Sequence, residues 1–457
     1  MTGFLIGMVI TIIAARFIIK NYQPQTILLL AGLSMLLIST ILFPDNSILY
    51  GKAKSIGWAG GDIFAFVKES LSTQVAGIGL IIMAAGGFAD YMDHIKASNA
   101  MVNLCIKPLR IIKAPYLILA IGYILSQLLH IAISSAAGLA MLLLVTFFPV
   151  LVRLGVSKAA AASMIGMSAF MDLGPAVGTA NLAAKHAGME TAIYFAHYQL
   201  PVAIGVMLTV AILIFFTARY FDAKDGHTMV IAQDDSLSHN DNGTHIPALY
   251  AFLPIFPVVL VIVFSPLVVS TIKIDVVTAM VIGTLFAFFC ELMVKRDFKS
   301  ACKGIQVFFK GMGTMFTSIV SLLVCADVFA QGLQIIGAVD FIIHTVQTIG
   351  FGFNSMTIVM ALLVCVTAAL TGSGVAAFFS FSGLAPGIAT KFGENAVNMI
   401  LPMQLMAGMG RSISPVAGVI IAVSKAGECS PFMIVRRTFI PAIGGMITML
   451  VINAMLS

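Results

Sequence analysis

Charge is scarce in this chain. Only 10% of its 457 residues are Asp, Glu, Lys or Arg, against about 25% in an ordinary soluble domain. Cysteine is sparse as well. Of the six, Cys290, Cys325 and Cys365 lie in or beside apolar runs. No pair has metal-ligand spacing and no disulfide framework is visible, so neither a metal nor a cofactor is expected. No HExxH occurs, and no histidine or lysine neighbours "TGSG", which speaks against an intramembrane enzyme. The first apolar run has no basic segment before it and no small-residue cleavage site after it. It reads as a first transmembrane helix, not as a removed signal.

What the chain has instead is apolar surface. Hydrophobic residues make up 60% and the mean hydropathy is +1.05. No soluble core could bury that much, so lipid is the solvent and the protein is all-α and polytopic. A formal charge of +6 then concerns membrane sidedness, not nucleic acid.

Apolar runs of crossing length fall at 3–20, 26–44, 75–93, 158–187, 197–220, 247–266, 273–294, 313–335, 395–425 and 432–455. Two longer ones, 115–154 and 355–393, are interrupted by "ISSAAG" and "LTGSGV". Each reads as two half-spans meeting at a re-entrant tip, which survives only under cover of protein or beside a water-filled cavity. "DIFAFVKESLS" at 62–72 and "FKSACKGIQVFFKGMG" at 298–313 read as amphipathic helices in the interface.

The one long polar stretch, 222–245, divides two halves that resemble each other. "SSAA" matches "TGSG", "LGPAVG" matches "ISPVAG", "KHAG" matches "SKAG", and "QLPVAIG" matches "FIPAIGG", all at an offset near 240. The predicted organisation is a first repeat at 1–222, a linker at 223–246 and a second repeat at 247–457. Each repeat holds five crossings and one hairpin. An odd count inverts the second repeat, which places a substrate site near the midplane between discontinuous helices. Lys and Arg gather on one set of loops, with Lys96, Arg110, Lys113, Arg153, Lys295, Arg436 and Arg437 among them. The other set holds Lys52, Lys54, Lys68, Lys185, Lys273 and Lys391. The richer face is cytoplasmic, so the linker is internal and both termini are external.

Candidate site residues cluster at the hairpin tips and at interruptions expected over 174–178 and 408–415. A half-helix starting at each break offers unpaired N–H groups to an anion. Ser134, Ser135, Thr371, Ser373, Ser412 and Ser414 add hydroxyls. Gly138, Gly174, Gly372 and Gly374 let backbone approach. Small residues packing helices together in lipid is the plainer account. Arg411 lies too deep to snorkel to either surface, and a charge there costs at least about 2.5–3.5 kcal/mol. Its planar fork suits a carboxylate. The competing role is neutralising Asp172, which could itself bind an amino group or take up a proton. Asp327 and His130 are further coupling candidates, although each also fits plain packing. Gln404 is placed to line the same cavity.

These stretches resemble the anaerobic C4-dicarboxylate transporters of the DcuC type, within the superfamily of two-hairpin ion transporters. The resemblance rests on "SSAAGLAMLLLVTFFPVLVRLGVS" at 134–157, "TGSG" at 371–374, "GRSISPVAGVIIAV" at 410–423 and "SPFMIVRRTFIP" at 430–441. It implies a homodimeric secondary carrier in a bacterial inner membrane, exchanging or moving succinate, fumarate, malate or aspartate. By position, it puts the family's tips on Ser134–Gly138, including Ala136, and on Thr371–Gly374, and its arginine on Arg411. Where members carry "GSGNAPF", this chain has "GSGVAAFF", with Val375 and Ala376. Sodium-coupled relatives have Ser-Asn-Thr tips, and neither tip here holds an asparagine. Protons and sodium both stand open as the coupling ion. A carrier for an amino acid or other zwitterion is the alternative. A channel fits two opposed hairpins less well.

Overall fold

Pairs of glycines set how closely the long helices approach. A computed structural model describes residues 2–20, 22–42, 55–107, 114–226, 248–266, 268–269, 271–272, 274–338, 341 and 352–456. Most of the linker, with Lys52, Lys54, Arg110, Lys113 and Lys273, lies outside these residues. The described secondary structure is helical. In order the helices are α1 Thr2–Ile19, α2 Pro24–Leu42, α3 Gly60–His94, α4 Ala97–Ile106, α5 Pro115–Ala132, α6 Ala136–Thr146 and α7 Phe148–Arg153. Next come α8 Lys158–Gly166, α9 Gly178–His186 and α10 Thr191–Lys224. The second half holds α11 Phe256–Val263, α12 Val276–Lys295, α13 Phe298–Ile335, α14 Phe353–Thr371, α15 Gly374–Ser382 and α16 Ala385–Phe392. It ends with α17 Ala396–Ser412, α18 Gly418–Ala426 and α19 Pro431–Leu456.

Among the described residues, eight helices are long and apolar enough to cross a membrane. The protein is therefore a multi-pass membrane protein. Both stretches expected as interfacial helices are helical, but not as separate elements. Residues 62–72 continue into α3 through a π turn, Val75–Gly79, kinked at Gly77. Residues 298–313 likewise continue into α13 through a π turn, Phe316–Val320. The expected crossing at 247–266 is not a single span: α11 has only 8 residues. Pro254, Pro257 and Pro266 remove backbone donors along it, so hydropathy alone overstated its helix. Both long apolar runs break where hairpin tips were expected, into arms of unequal length. The first arms, α5 and α14, have 18 and 19 residues. The returning arms are divided near Pro149 and Pro386, each at the start of a new helix.

The two halves interlock. α2 packs along the second part of α13, the second part of α3 along the first part of α13, and α10 along α19. A Cβ on Gly32 would meet Val328 backbone at 2.7 Å, and one on Gly87 would meet the Phe308 carbonyl oxygen at 2.5 Å. These contacts need glycine, as is common where helices meet in lipid. Charges bind the halves as well. Arg437 of α19 donates to Asp222 at 2.7 Å and to Asp225 at 2.6 Å, at the end of α10. Ser157, the N-cap of α8, donates to Asp222 at 2.6 Å. Glu291 of α12 is fully buried and accepts from Tyr91 and Lys295, each at 2.7 Å.

Candidate functional site

Four interruptions come together inside the bundle. The hairpin tips are Ile133–Ser135 between α5 and α6, and Gly372–Ser373 between α14 and α15. The other two are Met167–Val177 between α8 and α9, and Ile413–Ala417 between α17 and α18. The last is shorter than expected, because residues 408–412 remain helical. Gly408 and Gly410 are tolerated there because each lets another chain segment close in. A Cβ on Gly408 would sit 2.6 Å from the Phe170 carbonyl oxygen, and one on Gly410 would strike the backbone of Cys365. The same logic joins the other pairs. Gly174, at φ +108, lies against Ile131, and Gly374 lies against the Ala407 carbonyl. Gly372, at φ +73, lies against Ala417. Tip, break, break and tip thus form one contiguous row.

Arg411 stands at the centre of that row, in the last turn of α17. Carbonyl ends at a helix C-terminus favour a cation. Its Nη2 donates to the Ala169 carbonyl at 2.6 Å and to Asp172 Oδ1 at 3.0 Å. Both partners lie in the first break. Asp172 is 3% exposed and adopts φ +48, the left-handed region. That turn aims its carboxylate across the junction, toward Arg411. The pairing anticipated as the competing role for Arg411 is therefore present. It does not use up the guanidinium: among the described residues only Nη2 is engaged, and the side chain is 13% exposed. The hydrogens on Nε and Nη1 are left for a second acceptor.

A glutamine network holds this arrangement. Gln404 donates to the Asp172 carbonyl at 3.0 Å and accepts from Gln199 at 2.9 Å and from Tyr194 at 3.2 Å. Gln199 in turn accepts from the Gly174 N–H at 3.1 Å. Asn181 of α9 donates to the Pro175 and Val177 carbonyls. The turns of the broken segment are therefore satisfied internally, as buried backbone requires. Gln404 was readable from the sequence. Gln199 and Tyr194 were not singled out, although a glutamine within the apolar run 197–220 was a usable signal.

The hydroxyls divide into two groups. Ser135 and Ser373 cap α6 and α15, accepting from Gly138 N–H and Ala376 N–H. Each keeps its O–H hydrogen for a ligand. Ser414 is fully buried with no partner for its hydroxyl among the described residues. Thr371 and Ser412 instead donate back to Thr367 and Gly408 of their own helices. Ser134 and Ala136 are half-buried at the first tip. His130 joins the centre, with Nε2 3.5 Å from Asp172 Oδ1. Asp327 does not: it accepts from Ser70 at 2.6 Å, between α13 and α3.

A family profile described as "C4-dicarboxylate anaerobic carrier", DcuC, matches residues 3–456. A probable anaerobic C4-dicarboxylate transporter DcuC of Vibrio cholerae is 35% identical over 452 residues, covering 99% of this chain and 97% of that protein. The anaerobic C4-dicarboxylate transporter DcuC of Escherichia coli K12 is 35% identical over 453 residues, covering 98% and 95%. Among solved structures, the YdaH transporter of Alcanivorax borkumensis superposes with a TM-score of 0.64 at 14% identity, covering 94% of this chain and 98% of that one. MtrF of Neisseria gonorrhoeae gives 0.61 at 12%, covering 94% of each. These two likenesses establish a shared fold.

Proposed function

Because this chain belongs to the DcuC family of C4-dicarboxylate carriers, a family of transporters and not of enzymes, we propose that it moves a C4 dicarboxylate across a bacterial inner membrane. Succinate, fumarate, malate and aspartate are the candidate substrates. The observation that carries this reading is the uncommitted part of the Arg411 guanidinium at the meeting point of the four breaks. One substrate carboxylate takes hydrogens from Nη1 and competes with Asp172 for Nη2, which completes a two-bond fork. The other faces the N-terminal N–H groups of the half-helices, with Ser135 and Ser373 as hydroxyl donors.

Transport proceeds by alternating access, as exchange or symport, between two inverted repeats at 1–222 and 247–457. The π turns of α3 and α13 occupy equivalent places in the two repeats, as do the capped tips Ser135 and Ser373. The carrier works as a homodimer, with termini periplasmic and the linker at 223–246 cytoplasmic. A cysteine placed at Asn240 is expected to resist an impermeant thiol reagent in intact cells and to react in inverted vesicles. Labelling from outside intact cells would sink this topology.

Labelled succinate or fumarate is expected to exchange against the unlabelled acid in proteoliposomes. A second reading, an amino-acid carrier, draws on Asp172 Oδ2, which is buried without a hydrogen-bond partner and would suit an ammonium group. If no C4 acid gives counterflow while a neutral or cationic amino acid does, that reading replaces the first.

A further inference from the structure

His130 is completely buried, near the end of α5. Its Nδ1 lies 3.0 Å from the Ile133 carbonyl oxygen. A carbonyl can only accept, so Nδ1 bears the hydrogen. In a neutral imidazole, Nε2 is then a bare lone pair. That lone pair faces Asp172 Oδ1 at 3.5 Å. Neither His130 Nε2 nor Asp172 Oδ2 has any hydrogen-bond partner among the described residues, and both atoms are buried. A proton on Nε2 would turn this approach into a donated hydrogen bond to Asp172.

We propose that His130 and Asp172 together bind the coupling proton, and that substrate binding at Arg411 draws it in. This rests on Arg411 being the substrate's ligand. The charges show why the two events are linked. In the empty site Arg411 and Asp172 neutralise each other. A dicarboxylate that takes over Arg411 leaves Asp172 as a second, uncompensated carboxylate beside a dianion. Burying such a charge is costly. One proton added at Nε2 gives an imidazolium that donates to Asp172, and the pair is again neutral. The proton comes from water on the side where substrate enters, and it leaves when Asp172 regains Arg411. Arg411 of α17 and His130 of α5 are the charged or titratable groups that act on Asp172. Gln199 and Gln404, which donate to the Asp172 backbone carbonyl, are neutral, and Tyr194 of α10 is held by Gln404.

Linkage then fixes a sign. If substrate raises proton affinity, a proton raises substrate affinity by the same factor. Succinate should bind about tenfold more tightly for each unit of falling pH, wherever one proton is taken up with it. The test uses purified full-length protein in sodium-free, weakly buffered detergent solution. Adding succinate is expected to remove about one proton from solution per succinate bound. In His130→Gln, succinate should still bind, by calorimetry, but without proton uptake or pH dependence. Unchanged proton uptake in His130→Gln overturns the proposal, as does binding by the parent protein without any uptake. If His130→Gln fails to bind, Asp172→Asn decides: one proton still taken up with succinate overturns the assignment, and none supports it. Labelled-succinate counterflow in the same preparation keeps the readings apart. Counterflow without proton uptake removes only the proton site, whereas absent counterflow removes the dicarboxylate reading beneath it.

Discussion

Arg411→Lys is expected to slow labelled-succinate counterflow about 10- to 100-fold while leaving thermal unfolding in detergent nearly unchanged. Lysine preserves the charge that Asp172 needs, and an ammonium can still donate to the Ala169 carbonyl. What it lacks is the planar fork, since Nε and Nη1 have no equivalent. Loss of a hydrogen bond to a charged group costs about 1.5–3 kcal/mol, and each 1.4 kcal/mol is tenfold. The penalty should fall on the apparent affinity for dicarboxylate. An Arg411→Lys variant that exchanges succinate at the parent's rate would reduce Arg411 to a counter-ion for Asp172.

The second large effect is expected at the far end of α10. Arg437 and Asp222 are 5% and 0% exposed, and their bond joins the two halves of the chain. Arg437→Gln leaves the Asp222 carboxylate buried with only the Ser157 and Tyr116 hydroxyls as donors. Removing one member of a buried pair costs about 3–5 kcal/mol in soluble proteins. The unfolding midpoint of the purified variant should therefore drop by several degrees. Adding Asp222→Asn should restore most of it, because no charge is then stranded. An unchanged midpoint in the single variant would mean that water or lipid headgroups already screen this pair.

Much of the architecture could be read from apolar runs, and the reason is physical. Lipid enforces helices, so a glycine, serine or proline break within a long apolar run is costly unless something covers it. Both hairpin tips and the break around Gly174 were legible on that ground. What stayed hidden depends on tertiary contact. Helix α17 runs on through Gly408 and Gly410 because Phe170 and Cys365 pack where side chains would be. Glycine alone predicts a break there. The eight-residue α11 was overstated because hydropathy weighs Val and Leu but not the donors missing at Pro254 and Pro257. The arms preceding the π turns of α3 and α13 looked separate because an amphipathic pattern does not reveal backbone continuity through such a turn. At the site, the residue types were legible, but not the φ +48 turn that aims Asp172 at Arg411. The network through Gln199 needed the fold to place it.

The central claim is that Arg411 holds a substrate carboxylate and is more than a counter-ion for Asp172. Counterflow of labelled succinate by the Arg411→Gln, Asp172→Asn double variant tests it most directly, because neither residue is left as a stranded charge. The account predicts a folded protein, with an unfolding midpoint near the parent's, that exchanges no succinate. A folded double variant exchanging succinate at the parent's rate would contradict it.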